Sequence, residues 1–134
     1  MKITKRTLYA IRALVAIAES GEISINDIAE KTGISGKFLE QIFIDLKKSG
    51  IIASKRGLHG GYHLSKDLKK ISMYDVMESV GEEIEVAPCI KDDECSTPCM
   101  VKNILVDIHE KLLEYTKSVS LKDIIERGGK NAEY

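Results

Sequence analysis

A chain of 134 residues, 43% hydrophobic and 31% charged, is long enough to bury a core and too apolar to be a disordered segment. It shows no charged-then-apolar leader and no apolar run of about 18 residues, so neither export nor a membrane span is expected. Three cysteines, an odd number without a leader, point to reduced cytoplasmic thiols rather than a disulfide framework. The net charge of −1 conceals a split: residues 1–70 carry 13 Lys and Arg against 7 Asp and Glu, a net +6, and the remainder carry 7 against 14, a net −7. Contact with a polyanion is therefore expected of the first half alone.

Six helices and one hairpin are predicted. Leu8, Ile11, Val15 and Ala18 recur at helical spacing between Lys5 and Glu19, and Gly21 closes that segment. Ser24 with Asp27 has the spacing of a capping box and opens a short helix that ends at Gly33. Ser35 caps the next helix, with Ile34 and Leu39 placed as a hydrophobic staple, and the helix runs to about Ser49. From Ile51 to Leu64 the period changes, and a β-friendly run, a basic glycine-rich stretch and Tyr62-His63-Leu64 read as a hairpin. Ser72 with Asp75 starts another short helix that ends near Gly81. A loop from about Glu82 to Cys99 holds every cysteine. A long helix to about Ser118 follows, then a short one opened by Ser120 with Asp123, and Gly128-Gly129 begins a frayed tail.

The fold class expected is mainly α with a small β-hairpin wing: a winged helix-turn-helix plus a long dimerisation helix. Its units are a DNA-binding domain at 1–81, a cysteine-containing loop at 82–100, and a dimerisation helix with a C-terminal helix at 101–134. Two short helices around a glycine-containing turn, the second rich in basic and amide residues, form the helix-turn-helix pattern. Leu39, Ile42, Phe43 and Leu46 mark that helix's packing face, and Lys37, Glu40, Gln41, Lys47 and Lys48 its opposite face. Ser35, Lys37, Glu40 and Gln41 lie where base edges are read. Gln favours adenine, Glu accepts from cytosine N4, and Lys47 and Lys48 meet phosphate. In the wing, Lys55, Arg56, Gly57 and His59 form a slim basic tip whose Arg56 suits a minor groove. His63 reads as an ordinary hairpin side chain.

The segments Leu39-Glu40-Gln41-Ile42-Phe43, Leu46-Lys47-Lys48-Ser49-Gly50-Ile51-Ile52 and Arg56-Gly57-Leu58-His59-Gly60-Gly61-Tyr62 resemble the IscR/NsrR/CymR family of winged-helix regulators. Met1-Lys2-Ile3-Thr4-Lys5 with Tyr9-Ala10, and Ser120-Leu121-Lys122-Asp123-Ile124, extend the resemblance over nearly the whole chain. It implies a dimeric repressor or activator of transcription, with the residues matching Glu40 and Gln41 near bases and that matching Arg56 in the minor groove. Thr4, Lys5 and Tyr9 join the expected DNA-facing set. Ile104, Ile108, Leu112, Tyr115 and Val119 alternate at three and four along the long helix, the seam of a helix packed on a partner. A homodimer reading a roughly palindromic double-stranded operator is the expected assembly.

Cys89, Cys95 and Cys99 form C-x5-C-x3-C among Lys91, Asp92, Asp93, Glu94, Ser96 and Thr97, a polar run unsuited to burying inert thiols. Thiolate ligands of an iron–sulfur cluster lead the readings, followed by zinc and by a redox-sensing thiol set. The resemblance supports a [2Fe-2S] or [4Fe-4S] cluster, since the family's iron–sulfur and nitric-oxide sensors carry three cysteines in this loop. Those sensors have five residues in the second gap, where this chain has three. Their fourth ligand, a His after the last Cys or an acidic residue of the first helix, matches Lys102 or Leu8 here. Asp92, Asp93 or Glu94 remains to complete the site. His109, ten residues past Cys99, is expected at the surface or the interface. The alternative is a regulator without a cluster, controlled by a partner protein or by thiol oxidation. No nucleophile–base pair, phosphate-binding glycine loop or metal-hydrolase spacing occurs, so an enzyme is not expected.

Overall fold

The computed structural model describes residues 2–58, 60–91 and 99–129. Helix α1 (Lys5–Ser20) presents Ala10, Ala13, Leu14, Ala16 and Ile17 to the core on one face. Gly21, in a positive-φ conformation, ends it. Helix α2 (Ile25–Thr32) starts where the Ser24 hydroxyl accepts from Asp27 N at 3.2 Å, and Gly33 terminates it in the left-handed region. Helix α3 (Gly36–Lys48) starts at Ser35, whose hydroxyl accepts from Phe38 N at 3.3 Å. Ile34 and Leu39, one on each side of this cap, are both buried, as a staple requires.

The predicted packing face of α3 is the observed one. Leu39, Ile42, Phe43 and Leu46 are buried against Leu14, Ile17 and Ile28 in one continuous core. Strands β1 (Ile52–Lys55) and β2 (Gly61–Leu64) pair antiparallel, with Ile52 opposite Leu64 and Lys55 opposite Gly61. A second pairing anchors this hairpin to the helices. Ile23, in the α1–α2 connection, exchanges backbone hydrogen bonds with Tyr62 at 3.1 and 2.8 Å. The Tyr62 ring packs on Phe43 with centroids 4.6 Å apart.

After a 3-10 turn at Leu68–Lys70, α4 (Met73–Ser79) opens with a complete capping box between Ser72 and Asp75. A short helix α5 (Pro88–Lys91) lies inside the segment expected to be irregular. At one turn it is too short for periodicity to reveal, although Pro88 is well suited to a first helical position. Helix α6 (Lys102–Ser118) and α7 (Leu121–Gly128) follow.

Ser120 and Asp123 close a second complete capping box, and the Ser120 N–H and hydroxyl hold the Asp123 carboxyl below the usual carboxylate range. The α6–α7 corner is sewn to the start of α4: Met73 N donates to Val119 O at 2.8 Å and Leu121 N to Ile71 O at 2.7 Å. Leu121 is buried in the same core as α1. The last helix thus packs onto the winged-helix body, although the sequence places it in the same C-terminal stretch as α6. Among the described residues, no helix is long and apolar enough to cross a membrane.

Candidate nucleic-acid interface and cysteine segment

One surface collects the exposed polar residues of α3 and the wing. Ser35, Lys37, Glu40, Gln41, Lys47 and Lys48 are all exposed, on the side of α3 opposite its buried face. Lys47 Nζ donates to Ser54 Oγ at 2.9 Å, which braces the helix against β1. Lys55, Arg56, Gly57 and Leu58 are exposed at the hairpin tip, and His59 lies outside the described residues. The tip's two consecutive glycines have a steric cause. A Cβ on Gly60 would stand 2.2 Å from Lys55 O, and one on Gly61 would stand 2.6 Å from Ile23 O.

The first turn of α1 adjoins α3. Lys5 is exposed, and Tyr9 is half-buried with its ring edge-on to Phe38, centroids 5.3 Å apart. Arg12, which the sequence reading passed over, lies 5.8 Å from the Tyr9 ring centre. Arg6 pairs with Asp45 and locks the two helices together.

Thr4 has a local role as well. It caps α1 and donates to Glu82 through its N–H at 2.8 Å and its hydroxyl at 3.2 Å. The hydroxyl of buried Thr7 donates to the same carboxylate. Helix α1 has no acidic residue in its first turn, so Glu82 supplies the negative charge its N-terminus favours. Glu82 is also the root of the cysteine segment, so that segment and the start of α1 are mechanically tied. Thr7→Val keeps the shape and removes the donor. It should lower stability by about 1–3 kcal/mol, measured by chemical denaturation.

Cys89 is half-buried on α5 and Cys99 exposed just before α6, both as free thiols; Cys95, with Asp92, Asp93 and Glu94, lies outside the described residues. Among the described residues no group of three His, Cys, Asp or Glu side chains is gathered to hold a metal ion. Lys102 is the first residue of α6, and Leu8 is partly exposed on α1.

His109 departs from expectation. It faces its own subunit and lines a cavity of about 450 Å3 with Tyr74, Glu78, Glu82, Ile90 and Leu113, and its Nδ1 is buried with no hydrogen-bond partner among the described residues. The three-and-four spacing could not say which side of α6 meets α4. On the outer side, Ile104, Ile108 and Tyr115 are 55%, 41% and 57% exposed, while Leu112 and Val119 are half-buried.

A helix-turn-helix followed by an anchored basic hairpin defines a winged-helix transcription regulator. The family model described as "Iron-dependent Transcriptional regulator", Rrf2, matches residues 3–127. The chain belongs to the Rrf2 family. It is 32% identical over 130 residues to the HTH-type transcriptional regulator IscR of Cronobacter sakazakii, covering 93% of this chain and 80% of that one. Its structure is similar to IscR of T. potens, with a TM-score of 0.78 and 25% identity over 97% of this chain and 90% of that one. It is also similar to CymR, the global cysteine regulator of B. subtilis, with a TM-score of 0.80 and 25% identity over 95% and 98%.

Proposed function

We propose that this chain is a sequence-specific DNA-binding regulator that acts as a homodimer and senses iron–sulfur status, redox state or nitric oxide through a cysteine-ligated cluster. The observation that carries the DNA-binding part is the division of α3 into a fully buried apolar face and an exposed face holding Lys37, Glu40 and Gln41, with the wing beside it. Glu40 and Gln41 read base edges in the major groove. Ser35 and Lys37 lie beside them at the base edges and Lys47 and Lys48 set register on the phosphates, while Arg56 enters the adjacent minor groove from a wing tip formed with Lys55, Gly57 and His59. Thr4, Lys5 and Tyr9 meet the backbone at the start of α1. The dimer pairs α6 with its symmetry mate through Ile104, Ile108, Leu112, Tyr115 and Val119, and spaces the two recognition helices for a palindromic operator.

The donor set fits a cluster in kind. Three soft thiols fall within eleven residues, and the two that are described, Cys89 and Cys99, are free. Cys89, Cys95 and Cys99 would hold it, with a carboxylate of Asp92, Asp93 or Glu94, or a small molecule, at the remaining iron position. When bound, such a cluster supplies iron that reacts with oxidants or nitric oxide. The protein's own part is to join segment 82–100 to the DNA-binding body at Glu82 and to the dimer helix at Lys102. A change of conformation between those points alters the separation of the recognition helices.

Protein purified without oxygen should be coloured and contain iron and sulfide, and Cys99→Ser should lose most of both. Colourless, iron-free wild-type protein would reject the cluster. A second reading, control by a partner protein or by thiol oxidation, draws support from the likeness to CymR and from the non-ligand residues Lys102 and Leu8. Iron content decides between the two.

A further inference from the structure

The outer face of α3 is rimmed by polar residues, but its centre is apolar. Ile44 is 66% exposed and belongs to no part of the core. At about 100° per residue it lies between Glu40 and Lys48 around the helix, almost opposite Leu39, Ile42, Phe43 and Leu46. Lys37 shares its direction two turns earlier, and Gln41 flanks it on the same side as Lys48. A β-branched side chain at such a position gives nothing to the fold of its own subunit and loses rotamer freedom in a helix.

We propose that Ile44 is a specificity-determining residue that packs against the C5 methyl of a thymine in each half-site. The inference rests on the DNA-binding reading above and adds a base contact of a different chemistry from those of Glu40 and Gln41. The neighbours select the occupant. A protein partner docking on Ile44 would have to strip water from Lys37, Glu40, Gln41 and Lys48. In a DNA major groove the lysines keep anionic partners, the Glu and Gln find donors and acceptors on base edges, and the thymine methyl is the apolar group available. Ile44 follows Gln41 by three residues, about 5 Å along the helix axis, so the thymine lies about one or two base pairs from the pair that Gln41 reads.

The test begins with a duplex selected from a random library by the full chain. Each thymine of that duplex is then replaced singly by uracil, which deletes only the methyl. Wild-type protein should lose affinity about three- to fivefold at one symmetry-related thymine per half-site, the size expected for one buried methyl group. Ile44→Ala should fold as the wild type does, because the side chain is exposed, and should no longer distinguish thymine from uracil there. Gln41→Ala weakens binding through another base and should keep the distinction. The proposal is overturned if no thymine-to-uracil change affects the wild type, or if Ile44→Ala retains the same sensitivity. Failure to select any duplex would instead reject the DNA-binding reading, and this contact with it.

Discussion

On the proposed pairing of α6 with its mate, Ile108→Glu is expected to give a folded monomer and to weaken operator binding on the order of 100-fold. Helix α6 spans 17 residues, of which Thr116 is the one that is buried. Its inner side meets α4, where Lys117 lies 4.8 Å from the Tyr74 ring centre and His109 and Leu113 line the shared cavity. Its outer side leaves Ile104, Ile108 and Tyr115 uncovered, with Met100 and Val101 exposed just before the helix. Among the described residues, none covers this stripe.

In a twofold interface, Ile108 meets the same stripe on its mate. Each subunit of the variant would then bring an unpaired carboxylate into an apolar seam. The isolated subunit loses little, because Ile108 is already 41% exposed. Sedimentation equilibrium should report a monomer with a near-unchanged denaturation profile. A dimeric Ile108→Glu protein would exclude this face as the seam.

The second large effect is expected at Gly61, and it acts on the wing rather than on the dimer. Gly61→Ala places a Cβ 2.6 Å from Ile23 O, 2.7 Å from Ile23 C and 3.1 Å from Ser24 N. These are backbone atoms at the start of α2 and cannot rotate aside, so the strand must move. Moving it breaks the two Ile23–Tyr62 hydrogen bonds and lifts Tyr62 from Phe43. A stability loss of about 2–4 kcal/mol is expected from overpacking and broken hydrogen bonds together. DNA affinity should fall with it, because the wing tip follows β2.

Gly36→Ala is the control. Its Cβ would meet nothing within 4 Å and the position is helical, so stability should hold or rise by up to about 1 kcal/mol. Chemical denaturation of both variants, with amide exchange at Tyr62, separates the outcomes. A Gly61→Ala protein as stable as wild type would show that the hairpin is not held at Ile23.

Much of this architecture was legible because its signals are local. Ser24, Ser35, Ser72 and Ser120 each sit where a hydroxyl can reach an N–H three residues on, and all four are the observed caps. The spacing of Leu39, Ile42, Phe43 and Leu46 defined the buried face of α3 without reference to the rest of the chain. Features made by distant residues were not legible. Glu82 reaches Thr4 and Thr7 across 75 or more positions. The partner of Tyr62 is Ile23, and Leu121 returns to the core that α1 builds.

The placement of His109 is not legible in the sequence, because both sides of α6 carry apolar residues and periodicity alone cannot say which side stays inside the subunit. Ile44 was missed for the opposite reason. Polar residues define the outer face of α3 in the sequence, and periodicity gives a single apolar side chain among them no role.

The most direct test of the account is a titration of the full chain against a duplex bearing the inverted repeat it selects, repeated at rising salt, with a scrambled duplex of equal length alongside. Two chains per duplex are predicted, with affinity falling steeply as salt increases and a preference of at least about a thousandfold over the scrambled sequence. Equal affinity for both duplexes, or no binding even at low salt, would contradict it.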